Sequence, residues 1–137
     1  MQPQYWSIDL LPGLMLNEQK LLKAQGIENT LDLLKQTKTQ ESKIDLASKL
    51  KLHQKHINKW IALSDLACIP SVGRQYCGLL LHAGITSVLQ LAQTPFHRLH
   101  SQIIRLQVAT IGRKDLTSVS QVKQWVEEAK ILSRNKF

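Results

Sequence analysis

Ser71-Val72-Gly73-Arg74 is the stretch of this sequence best equipped to hold an anion. A serine hydroxyl and an arginine heading a helix are donors, and a glycine lets backbone amides come close. No acid stands near them. Between Leu66 and Lys114 there is no Asp or Glu, while Arg74, Arg98, Arg105, Arg113, Lys114 and three His fall within those 49 residues. The chain carries a net charge of +8, but unevenly. Residues 1–65 hold nine Lys, no Arg and seven acids; residues 66–137 hold five Arg, four Lys and three acids. Such a field attracts nucleic acid, an acidic protein or an anionic membrane surface, and also serves simply to keep a surface solvated. Arginine favours bidentate contact with phosphate or carboxylate.

Other reactive residue types are less organised. His53/His56 and His97/His100 are i,i+3 pairs that share a helix face, but no Cys, Asp or Glu within either helix completes a metal site. They are expected to be solvated or phosphate-facing, with His97, Arg98, His100 and Arg105 forming a basic helical surface. Cys68 and Cys77 are flanked by apolar residues and are expected to be buried free thiols. No phosphate-binding loop with Lys, nucleophile elbow or paired carboxylates occurs, so no enzyme, cofactor or small-molecule substrate is expected. No run of 18 apolar residues spans a membrane and MQPQYWSIDL lacks the features of a secretory leader, so a cytoplasmic location is expected.

The elements that position these groups come in duplicate. LPGLMLNEQKLLKAQGIENTLDLL (11–34) and IPSVGRQYCGLLLHAGITSVLQLA (69–92) align without a gap at an offset of 58, with seven of 24 positions identical. Chance gives about two in a Leu-rich chain. Duplicated supersecondary units bury each other's apolar faces. The periodicity is helical throughout, and the chain is expected to be all-α. Asn17 is expected to cap a helix to about Gln25, with Gly26 and Gly84 as left-handed C-terminal stops. Asn29 and Ser87 cap the next short helices. Helices are predicted from Thr39 to Leu50, His53 to Ser64, Pro95 to about Gln107, and 119–133, the last opened by a Ser118/Gln121 capping box. Trp60 and Trp125 correspond at an offset of 65, so the second copy holds seven extra residues, expected in the loop near Gly112. The three Trp are expected in the core, and Tyr76 half-buried.

Apolar–Pro–Gly–apolar, a short helix, Leu-Leu and then Gly-Ile resembles the helix-hairpin-helix motif. The tandem arrangement, with long helical inserts ending in Lys-Trp or Gln-Trp, is similar to a group of small prokaryotic proteins known mainly as a domain of unknown function. The resemblance runs from about Ile8 to Leu132. It implies two tandem helix-hairpin-helix repeats, 1–65 and 66–137, with helical inserts, packed as one unit. It also implies sequence-independent DNA backbone binding through the amides of the turn. The motif's two turn glycines are each half-kept: Gly13 then Met15 in the first copy, Ser71 then Gly73 in the second. Asp9 and Glu18 flank the first turn, so Pro12, Gly13 and Leu14 form the weaker hairpin and residues 71–74 the stronger. Two functions are therefore expected of a non-enzymatic binding module: gripping nucleic-acid backbone through the second hairpin and the basic surface, or docking an acidic protein partner as an adaptor.

Overall fold

The computed structural model describes residues 1–113 and 115–135, with Asn135 as backbone alone. Among them the chain is all-helical. A 3-10 turn, Ile8–Leu10, precedes α1 (Leu16–Ala24), α2 (Thr30–Gln36), α3 (Gln40–Leu50) and α4 (Gln54–Ala67). The same sequence of elements follows as α5 (Gly73–His82), α6 (Val88–Ala92), α7 (Phe96–Ile111) and α8 (Val119–Asn135). Helices α2 and α3 pack on α4, and α6 and α7 pack on α8, so each long fourth helix is the spine of its half. α4 also packs on α5, and one continuous core joins the halves. The residue 65/66 boundary expected from the repeat lies in the last turn of α4.

The caps follow local chemistry. The side chains of Asn29, Thr39, Ser87 and Ser118 accept from the amides of Asp32, Ser42, Gln90 and Gln121. Gln121 returns the bond to the Ser118 amide, completing the capping box. Each such cap stabilises its helix by about 0.5–2 kcal/mol. Gly26 and Gly84 follow α1 and α5 with φ of +78° and +91°, a conformation that favours glycine.

Several expectations need correction. Asn17 lies inside α1; the helix starts at Leu16, and the Glu18 carboxylate accepts from the Met15 amide. α4 runs past Ser64 to Ala67, and α7 past Gln107 to Ile111. The seven extra residues are not confined to the loop: α7 is longer than α3 by five and the loop after it by four, while α6 is shorter than α2 by two. Trp60 and Trp125 are buried core anchors, but Trp6 is half-buried. His53 is the N-cap of α4, its ring Nδ1 accepting from the Lys55 amide. His100 Nε2 lies 3.0 Å from the Thr117 carbonyl. Both imidazoles therefore have structural partners. Cys68 and Cys77 are both buried, and burial pushes the Cys77 thiol up to about 11.

The N-terminal segment stitches the halves together. Ser7 forms an antiparallel bridge with Asn29, and the Thr30 amide donates to the Trp6 carbonyl. The Gln4 amide reaches the Cys68 carbonyl, and the Trp6 indole N–H reaches the Ala67 carbonyl at 2.9 Å.

Candidate anion-binding corner

The turn between α4 and α5 is built by Ile69, whose carbonyl accepts from the amides of both Val72 and Gly73. Gly73 opens α5 at φ +54°, a conformation that strains any side chain. It also has little room for one: a Cβ there meets Trp6 Cζ2 at 3.3 Å. Val72 and Gly73 are buried, Ser71 half-buried and Arg74 exposed. The Arg74 guanidinium lies 5.9 Å from the Trp6 ring centroid, within cation–π range.

Trp6 and residues 70–75 enclose a groove of about 480 Å³, and Arg74 is its one charged side chain. Ser71 Oγ is enclosed without a hydrogen-bond partner among the described residues. The first-turn amides of Arg74 and Gln75 likewise meet no protein acceptor among them. Arg74 and Gln75 at the helix head and Ser71, its hydroxyl enclosed, therefore border one concave surface. The same corner also contains an internal anion. The Ser71 amide donates to Glu128 Oε1 at 3.0 Å, and Glu128 Oε2 accepts from Gln124 at 2.9 Å. Glu128 is buried on the inner face of α8, between Trp125 and Ala129. It holds the place that Leu63 takes in the first half, where Leu63 Cδ1 packs against Gly13.

The remaining predicted residues do not line this groove. Arg98 and Arg105 are exposed on α7, two turns apart and thus about 10 Å along one helix face. Exposed His97 stacks on Phe96 with centroids 4.1 Å apart, and the Lys123 ammonium lies over the same Phe96 ring. Arg113 is exposed beyond the end of α7, and Lys114 lies outside the described residues. At the first hairpin, Gly13 turns at φ +82° and is exposed, while Pro12 and Leu14 are half-buried. Its two acids are engaged: Glu18 caps α1 and Asp9 pairs with Lys23 at 2.7 Å. Where the second half has Arg74, the first has exposed Leu16.

Sequence reasoning missed Glu128 and Trp6 as parts of the corner. Glu128 did leave a signal, because it falls at i+3 from Trp125 on the apolar stripe of α8. Trp6 left none, since its contacts with residues 67–74 are set by tertiary packing.

An all-helical, internally repeated protein with a basic concave corner is the class that fold and site define. Residues 12–132 match the family described as Domain of unknown function (DUF4332), and the chain belongs to it. No curated protein and no solved structure matches the chain.

Proposed function

We propose that this protein is a non-enzymatic module that binds nucleic-acid backbone without reading sequence, its two halves acting as tandem helix-hairpin-helix units. The observation that carries this reading is the groove at the head of α5. Arg74 brings a guanidinium to its lining, the first-turn amides of Arg74 and Gln75 have no protein acceptor among the described residues, and a negatively charged ligand suits both. Phosphate docks at the helix head, and Arg98, Arg105 and Arg113 add side-chain contacts to the backbone. Base identity is not read, so affinity comes from charge and counterion release. The grip differs from the one the motif implies, because the amides of Ser71, Val72 and Gly73 are already bonded within the protein.

That internal bonding favours a second reading, in which the hairpin is structural and the arginine surface docks an acidic protein. A salt titration of binding to duplex DNA separates the two. Three or four phosphate contacts give a log K against log salt slope of about −3 to −4, and each arginine removed lowers the slope by about one. Arg74→Glu and Arg98→Glu/Arg105→Glu weaken binding under the first reading. Absence of binding at 50 mM salt refutes it.

A further inference from the structure

A second basic groove, separate from the arginine corner, lies across the junction of the two halves. Lys43 of α3 and Lys55 and Lys59 of α4 line a cavity of about 540 Å³, whose apolar floor includes Ile61, Ala62 and Leu81. Lys59 and Leu81 also line an adjoining chamber of about 180 Å³ that ends on Pro12, Gly13 and Leu63 of the first half and His82 of α5. The two chambers therefore form one continuous surface. No carboxylate lines either of them.

Two lysines of the same half have a carboxylate partner. Lys23 is paired with Asp9 and Lys49 with Asp45. Lys43, Lys55 and Lys59 meet no carboxylate among the described residues. Lys55 and Lys59 stand at i,i+4 on one helix face, a like-charged arrangement that is unfavourable until an anion relieves it. Three unneutralised ammonium groups above an aliphatic floor call for a ligand that is acidic and apolar at once.

The geometry points to this groove as the docking site for an acidic, amphipathic peptide segment of a partner protein. Its Asp or Glu carboxylates meet Lys43, Lys55 and Lys59, and an aliphatic side chain seats on Ile61, Ala62 and Leu81. Charge complementarity selects the acidic partner. The floor selects a peptide over nucleic acid, since Ile61, Ala62 and Leu81 offer an aliphatic seat that a phosphate backbone does not use, and the lining has no arginine fork for phosphate. The inference is independent of the DNA reading, because neither chamber includes a residue of the arginine corner.

The test is selection of a phage-displayed random dodecapeptide library on the full-length protein at low salt. Enriched peptides are then synthesised and titrated by fluorescence anisotropy. The expected pool interleaves Asp or Glu with Leu, Ile or Val. The expected affinity falls at least tenfold in Lys59→Glu and in Lys55→Glu, and less in Lys59→Gln, with helicity by circular dichroism unchanged. Arg98→Glu/Arg105→Glu retains peptide binding within twofold, so failure of the DNA reading leaves this result standing. Four outcomes overturn the proposal: no enrichment, enrichment without acidic residues, peptide affinity indifferent to all three lysine variants, or duplex DNA that displaces the peptide and itself depends on Lys59.

Discussion

Replacing Glu128 by Ala tests whether the buried carboxylate holds the second hairpin in place. Glu128 is 7% exposed and gives one oxygen to the Ser71 amide and the other to Gln124. Truncation leaves the half-buried Ser71 amide without its charged acceptor, at a cost of about 1–2 kcal/mol. One buried methylene is lost as well, worth about 0.8 kcal/mol. The higher helix propensity of Ala returns about 0.4 kcal/mol. The net expectation is a loss of about 1.5–2.5 kcal/mol, or about 5–9 °C in Tm for a chain of this size. Glu128→Gln keeps an acceptor oxygen and is expected to cost about 0.5–1 kcal/mol. Urea unfolding followed by tryptophan fluorescence and circular dichroism reads both variants. An alanine variant within 0.5 kcal/mol of the parent, or a glutamine variant as damaged as the alanine one, refutes the reasoning.

Glu128→Ala also removes the carboxylate beside the groove and frees the Ser71 amide, so duplex DNA affinity at 50 mM salt is expected to rise a few-fold; an unchanged or weaker affinity argues against phosphate at this corner. Gly73→Ala is expected to destabilise by about 1–2 kcal/mol, because the left-handed backbone is strained and the new methyl presses on Trp6, whereas Gly78→Ala, in mid-helix with open space, stabilises by about 0.5–1 kcal/mol; thermal melts distinguish them. Burial raises the Cys77 thiol from its ordinary 9.0 to about 11, so the folded state keeps the proton that the unfolded chain releases. That contribution to stability is complete below pH 9 and is lost as pH climbs toward 11, by at most about 1.4 kcal/mol per pH unit. A Cys77→Ala chain shows a shallower fall in urea midpoint over that window.

What local chemistry determines was legible in the residues. Asn29, Ser87 and Ser118 cap the helices they were expected to cap, since each needs only a side-chain oxygen three residues before an amide, and Thr39, expected as the first residue of α3, is its N-cap. Asn17 misled because Glu18 reaches back to the Met15 amide and starts α1 earlier. The end of α7 was misplaced because Gln107 reads as a polar boundary. In the fold it is buried, its amide group bonded in both directions to Thr117, and the helix continues to Ile111. His53 as an N-cap follows from no strong propensity. The corner itself was half legible. Residues 71–74 do meet at a groove, but the partners that define it, Glu128 and Trp6, lie 57 and about 65 residues away along the chain. Only packing brings them there. The lysine groove had no linear signature, because its cations come from two helices whose own charge balance looked unremarkable.

The Trp6 indole and its acceptor, the Ala67 carbonyl, are 61 residues apart. Synthesis is vectorial, at roughly 5–20 residues per second, so the first tryptophan leaves the ribosome about 3–12 s before its berth exists. Until then the nascent N-terminus has no end of α4 to dock on, and its hydrophobic ring waits in solvent. Docking of the opening segment is thereby tied to synthesis of the last turn of α4.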